Sequence, residues 1–131
     1  MKTLLLASLM LFAGASYAAD SAPSLKTSNY NQHTQVNQIL TQVALAKVKP
    51  EHAVEFKRIV SGLLGQLRAQ PGNISYEFAQ SLEDPTEFVF TEKWISGASI
   101  KNHMESSLIQ DFFGRVGNFF EAGYPQLIIL K

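Results

Sequence analysis

Apolar and polar positions along this chain change period several times, and each change predicts a new element of secondary structure. Residues 42–48 suit a first strand, and regular structure is expected from about residue 39. From Pro50 the apolar positions take a helical spacing, which ends at Pro71 and Gly72. The apolar stripe of this predicted helix consists of Phe56, Val60, Leu63, Leu64 and Leu67.

The second half of the chain predicts a hairpin. Residues 74–80 and 87–94 are rich in aromatic and β-branched side chains, and the turn between them contains Pro85. Ser96 can cap a short helix that carries His103.

A second helical piece and a last strand follow. The apolar residues of segment 108–120 recur at spacings of three and four. Residues 126–130 are mostly apolar, so we expect a final strand that is buried on both faces.

The resulting order, βαββαβ, predicts an α+β ferredoxin-like fold with helices on one face of a four-stranded antiparallel sheet. Alternating residues of two strands place several large rings on one side of this sheet. We expect a second copy of the chain to cover that aromatic side, giving a homodimer, a dimeric α/β-barrel. The residues on this side are Tyr76, Phe78, Phe88, Phe90, Glu92 and Trp94.

The first residues have the pattern of a secretory signal peptide. Lys2 precedes an apolar run at 4–15, and small residues at Ser16 and Ala18 suit cleavage after Ala18. The run is too short to span a bilayer. We therefore predict a signal peptide at 1–18, a periplasmic or secreted protein, and no stable membrane insertion after cleavage. Residues 19–38 are polar and predict a flexible arm, and residues 39–131 predict one domain.

The composition argues against some classes of partner and against a metal site. The chain has eleven basic and eleven acidic residues, and loss of Lys2 with the signal peptide leaves a net charge of −1. Without a basic excess, nucleic acid is not an expected partner. The chain has no Cys and three His, which argues against a metal site and excludes disulfides.

Several short motifs stand in a fixed order along the chain. They are Lys49, Pro50 and Glu51; Pro71 and Gly72 with Tyr76; Asp84 and Pro85; residues 88–94; and His103. In this order they resemble the antibiotic biosynthesis monooxygenase family, in its quinol monooxygenase branch, and the resemblance covers roughly residues 43–120. It implies a dimeric ferredoxin-like fold and oxidation of a small aromatic or quinol-like molecule by oxygen, without metal, flavin or haem.

The resemblance also implies site residues. Glu92, Trp94 and His103 stand at the family's matching positions and are the candidate catalytic residues. Phe90 and Ile100 occupy the positions of an Asn and a Tyr in a polyketide-oxidising branch. Phe113 occupies the position of a His in the haem-degrading branch, so neither substrate class is expected here.

Cofactor-free oxidation needs an apolar pocket, a base and donors that stabilise a substrate anion. His103 is the natural base because its reference pKa lies near ~6.5. Glu92 can orient that His or, once desolvated, act as an acid or base. The candidate substrate-binding residues are Tyr76, Phe78, Phe90 and Phe113.

Each assignment has a structural alternative. Trp94 and Tyr76 suit simple packing, and His103 suits a helix surface or a satisfied hydrogen-bonding group. Glu92 suits an ion pair across an interface with Lys93, Lys101 or Arg115.

The function has alternatives too. One is a non-catalytic or stress-response dimeric domain that binds a small hydrophobic ligand. Another is an isomerase of the same fold.

Overall fold

The computed structural model describes residues 30–131. The predicted signal peptide, with its cleavage site, and residues 19–29 of the predicted arm lie outside the described residues. The elements in chain order are β1 (Leu40–Lys47), α1 (Ala53–Arg68), β2 (Asn73–Gln80), β3 (Glu87–Trp94), α2 (Gly97–Glu105), α3 (Ser107–Val116) and β4 (Gln126–Leu130).

The four strands form one antiparallel sheet in the order β2-β3-β1-β4. The paired strands β1 and β3 are central, and each crossover passes over a neighbouring strand. This is the ferredoxin-like α+β arrangement that the sequence predicts. Register places Leu40 opposite Trp94 and Tyr76 opposite Glu92, so each pair points to the same face.

Local chemistry sets the helix ends. The Ser96 hydroxyl caps α2 as predicted, accepting from the Ser99 amide at 3.2 Å. Ser106 separates α2 from α3 and caps α3 in the same way, through the Ile109 amide at 3.3 Å. The predicted helical segment 108–120 is α3 followed by a 3-10 turn, Gly117–Phe119.

All three helices lie on one face of the sheet, and this face carries the aromatic side chains. Phe56 of α1 packs with ring centroids 5.0 Å from Phe88 and 6.3 Å from Phe90. Phe88 and Trp94 are 1% and 0% exposed. The expectation that a second copy covers the aromatic side is therefore wrong, because the chain's own helices cover it.

The opposite side of the sheet, which we call the open face, has no cover within the described chain. Its apolar side chains are aliphatic, with Val89 39%, Ile128 47% and Leu130 48% exposed. The expectation that β4 is buried on both faces is wrong for the single chain, because helices cover one face only. The apolar residues of the open face are Val43, Leu45, Ala79, Val89, Ile128 and Leu130.

Residues 30–38, the second part of the predicted arm, pack against the domain. Tyr30 is buried in the core, and the Gly97 amide donates to the Val36 carbonyl at 2.9 Å. A Cβ atom at Gly97 would lie 1.6 Å from the His33 carbonyl oxygen, so this contact requires glycine. The polar composition of the segment concealed the two apolar anchors, Tyr30 and Val36. Within residues 30–131, no helix has the length and apolarity needed to cross a bilayer.

Candidate active site

Strand β3 and helix α2 bring the three predicted catalytic side chains together. Glu92 and Trp94 are two residues apart on β3 and therefore point to the same face. His103 lies above them, with its ring centroid 4.6 Å from that of Trp94. All three residues are at least 97% buried.

Glu92 accepts hydrogen bonds inside the core. Trp94 Nε1 donates to Glu92 Oε2 at 2.9 Å, and Gln42 Nε2 donates to the same oxygen at 3.2 Å. Burial raises the pKa of Glu92 to about 7, although bonds from Trp94, Gln42 and Tyr76 favour the ionised form. The carboxyl group therefore takes up and releases a proton near neutral pH.

His103 faces the same carboxyl group but is a weak base. Its Nε2 lies 3.5 Å from Glu92 Oε2. Burial lowers the pKa of His103 to about 3, so the imidazole is neutral near pH 7. The sequence favoured His103 as the acid–base residue. The raised pKa of Glu92 and the lowered pKa of His103 favour Glu92 for that role instead.

The other ring nitrogen of His103 has a partner outside the cavity. Nδ1 is hydrogen-bonded to the side-chain oxygen of Gln70. A neutral imidazole with its proton on Nδ1 turns a lone pair on Nε2 toward Glu92. Near pH 7 the proton that this pair exchanges is therefore that of the Glu92 carboxyl group.

A cavity adjoins this pair between the sheet and helices α2 and α3. The space open to water-sized molecules is about 40 Å³, enough for a few waters. Gln42, Glu92 and His103 supply its polar groups. The rings at its wall are Phe56, Tyr76, Phe90, Phe112, Phe113 and Phe120.

Three of the four predicted substrate-binding residues line the cavity, namely Tyr76, Phe90 and Phe113. Phe78 does not; it stacks on Phe88 with centroids 5.4 Å apart, at the β2 edge of the sheet. Tyr76 both packs in the core and contacts the site, since its ring is edge-on to that of His103 with centroids 5.8 Å apart.

The structure decides two of the alternatives that the sequence left open. Glu92 contacts Trp94, Gln42 and His103, and among residues 30–131 no lysine or arginine pairs with it. His103 is 3% exposed and hydrogen-bonded to Gln70, so it is a buried, hydrogen-bonded residue and not a surface residue of α2.

Sequence reasoning missed Gln42 and Gln70. Gln42 had a signal, because it interrupts the inward-facing apolar series Leu40, Ala44 and Ala46 of β1. Its Oε1 is buried and has no partner among the described residues. Gln70 had none, because its contact with His103 joins positions 33 residues apart.

Among residues 30–131, no three His, Cys, Asp or Glu side chains gather closely enough to hold an ion. Glu92 and His103 are two potential ligands, and their neighbours are amide, indole and hydrocarbon groups.

Comparison with known proteins agrees with the fold. The sequence model described as "Antibiotic biosynthesis monooxygenase" matches residues 39–115. The Bacillus subtilis (strain 168) protein named "Putative monooxygenase YcnE" is 35% identical over 72 residues, covering 55% of this chain and 76% of that protein.

Solved structures share the architecture. A conserved protein from Methanosarcina mazei Go1 has a TM-score of 0.66 at 24% identity, covering 72% of this chain and 93% of that one. A structure described as an antibiotic biosynthesis monooxygenase has a TM-score of 0.65 at 20% identity, covering 70% of this chain and 96% of that one. At these identities the likeness is one of fold.

Proposed function

Because the chain belongs to the antibiotic biosynthesis monooxygenase family, we propose that it oxidises a small aromatic or quinol-like molecule with oxygen and without a cofactor. The observation that carries this proposal is the Glu92–His103 pair beside an aromatic cavity. The pair supplies a proton acceptor that operates near neutral pH, next to rings that suit a flat apolar substrate.

Proton removal is the step that the protein must perform. Ground-state oxygen is a triplet and reacts slowly with closed-shell molecules, whereas a phenolate gives up an electron more readily than the phenol. Ionised Glu92 accepts the hydroxyl proton, and Trp94 Nε1 holds the carboxylate in place. The buried Oε1 of Gln42 is free to accept a hydrogen bond from a second hydroxyl.

The overall reaction balances without an added reductant. A hydroquinone and one O₂ give a hydroxylated quinone and one water, since the substrate itself supplies all four electrons. One oxygen atom enters the ring and the other leaves as water with the two hydroxyl protons. Electron transfer from the phenolate to oxygen forms the radical pair that combines at the ring carbon.

Substrate entry requires the cavity to widen. A volume of about 40 Å³ is far below that of a typical ligand pocket. Phe112 and Phe113 of α3 are half-buried at the cavity wall, so rotation of these rings is the proposed route of entry.

Oxygen uptake by the Glu92→Gln variant tests the proposal. Uptake is measured against hydroquinones and polyphenols and corrected for autoxidation. Loss of the proton acceptor is expected to lower turnover by about 10²-fold or more. Glu83→Gln is the matched control, because Glu83 is exposed in the turn between β2 and β3. Equal rates for wild type and Glu92→Gln would remove Glu92 from the chemistry.

An isomerase is the second candidate, because a buried carboxyl–imidazole pair can also move a proton between two carbon atoms. Conversion of a substrate at equal rates with and without oxygen would favour this alternative. Ligand binding with no product under either condition would favour a binding domain.

We also propose a homodimer in the periplasm or outside the cell. The aliphatic open face supports the dimer, since a second copy would cover Val89, Ile128 and Leu130. Export follows from the predicted signal peptide at 1–18, and N-terminal sequencing of protein purified from the producing cell tests it. A start at Ala19 is expected, and retention of Met1 would contradict it.

A further inference from the structure

We propose that Gln70, on the connection between α1 and β2, is a positioning residue that fixes which nitrogen of His103 carries the proton. It thereby keeps a bare nitrogen turned toward Glu92. The inference deepens the proposed function and rests on it, since it assigns a role in the chemistry of that same pair.

The hydrogen bonds around Gln70 determine the direction of every donor. The Ser106 hydroxyl lies 2.7 Å from the His103 carbonyl oxygen, which can only accept, so the hydroxyl donates to it. The same hydroxyl oxygen must then accept from Gln70, at 3.0 Å, so this end of the Gln70 amide is the nitrogen. The amide oxygen is left for His103, and Nδ1 must donate to it.

This chain of bonds selects one of two neutral imidazole forms. With the proton on Nδ1, the lone pair of Nε2 faces Glu92 Oε2 at 3.5 Å. Two lone pairs in contact disfavour the ionised carboxylate. In the other form an N–H would face Glu92 and stabilise its anion. Gln70 therefore favours the form in which Glu92 retains its proton.

Within the described part of the chain, few other groups act on this protonation equilibrium. The titratable residues that face Glu92 there are Tyr76 from β2 and His103 from α2, and uncharged Gln42 and Trp94 face it from β1 and β3. On the far side of His103, its hydrogen-bond partner is the uncharged Gln70 amide. A substitution at Gln70 should therefore directly change the protonation of Glu92 and His103.

The backbone at Gln70 does not depend on its side chain. Its amide donates to the Leu67 carbonyl at 3.3 Å, and its carbonyl accepts from the Asn73 amide at 3.1 Å. A side-chain substitution of similar length therefore leaves the turn in place.

The test is Gln70→Met, which keeps the length and removes the acceptor. Gln66→Met is the matched control, since Gln66 is exposed on α1. Nitrogen-15 shifts of His103 report the protonated nitrogen, and carbon-13 shifts of the Glu92 carboxyl report its titration. We expect the imidazole proton to move toward Nε2 and the Glu92 titration midpoint to fall by about one pH unit. The pH profile of oxygen uptake should move with it.

Gln70→Glu provides the opposite change. A carboxylate beside Nδ1 favours the imidazolium, so His103 should titrate at higher pH than in the wild type. An unchanged His103 tautomer and Glu92 midpoint in Gln70→Met, together with an unchanged His103 titration in Gln70→Glu, would overturn the proposal. If Gln70→Met does not fold, the His103 titration of Gln70→Glu decides, and an unchanged titration overturns the proposal.

The two proposals fail separately. Absence of turnover in the wild type, with the expected shifts present in the variants, would refute the oxidation chemistry and retain the role of Gln70. Turnover in the wild type with no shift in the variants would do the reverse.

Discussion

Glu92 is 2% exposed among aromatic rings, and its nearest basic group is an imidazole that burial keeps uncharged. Taking a carboxylate out of water is costly, and an uncharged partner does not offset that cost. The indole of Trp94 and the amide of Gln42 offset part of it by donating to the same oxygen. This balance places the pKa of Glu92 near neutral pH instead of far above it.

The pH dependence of stability follows from this residue and from His103. Folding raises the pKa of Glu92 from 4.5 to about 7, so the folded state keeps a proton that the unfolded chain loses. Stability from this source is full below pH 4.5 and falls as pH rises to about 7. Folding lowers the pKa of His103 from 6.5 to about 3, so the stability from this source is full above pH 6.5 and falls as pH drops from 6.5 to about 3.

Glu92→Gln removes the first of these contributions and leaves the second. Relative to wild type, we expect its free energy of unfolding to increase by about 3 kcal/mol between pH 4.5 and pH 7. Urea unfolding of both proteins at several pH values measures this. Glu83→Gln, at an exposed position in the turn between β2 and β3, should run parallel to wild type. A constant difference between Glu92→Gln and wild type would contradict the raised pKa.

The site residues that stand in short sequence motifs were predictable, and those that depend on contacts between distant segments were not. Glu92, Trp94 and His103 were found through motif spacing, and the structure places them in contact. Their protonation roles were not predictable, because burial decides them and the sequence does not state burial. Phe78 shows the limit of alternation, since it shares a side with Tyr76 and Phe90 but stacks on Phe88 and does not reach the cavity.

At the scale of elements, helix α2 is held by two close backbone approaches. Gly97 lies against the His33 carbonyl, and Gly72 lies against the Ser99 side chain. Because α2 carries His103, these contacts set the height of the imidazole over the sheet. Both glycines stand where the packing leaves no room for a Cβ atom.

Gly72→Ala tests this docking. Gly72 has φ +82°, and a Cβ atom there would lie 2.3 Å from the Ser99 hydroxyl oxygen. We expect a loss of about 2 kcal/mol or more in unfolding free energy, from backbone strain and from displacement of α2. Gly65→Ala is the control; it meets no atom within 4 Å and should gain about 0.5–1 kcal/mol. Equal effects of the two substitutions would show that α2 is not held at Gly72.

The elements themselves were largely predictable from the spacing of apolar residues and from the Pro and Gly residues between them. Strand β3 and strand β4 have the predicted bounds, and α1 ends just before Pro71 and Gly72. The face that the helices cover was not predictable from alternation, because the same pattern fits either side of a sheet. That is why the aromatic side was assigned to a second copy and proved to be the core.

At the scale of the whole molecule, the sheet separates two surfaces with different chemistry. One side holds the cavity and the helices, and the other is the aliphatic open face. A second copy on the open face would stand a full sheet away from Glu92 and His103. Assembly and catalysis are therefore expected to be separable by mutation.

Val89→Asp tests the proposed assembly, because Val89 lies on the open face and is 39% exposed. Light scattering should give twice the chain mass for wild type and the single-chain mass for this variant, since a buried unpaired carboxylate is costly. Val54→Asp, at an 85% exposed position on α1, should remain dimeric. A single-chain mass for wild type at micromolar concentration would contradict the homodimer.

The alternation of side chains along β3 has an evolutionary consequence. Its even-numbered residues, from Phe88 to Trp94, face the cavity side, and its odd-numbered residues face outward. Substitutions that accumulate at even positions change which molecules the cavity accommodates, while those at odd positions change the outer surface. Descendants of one ancestor can thus diversify in ligand and in assembly independently. Only an insertion or deletion within the strand would exchange the two sets at once.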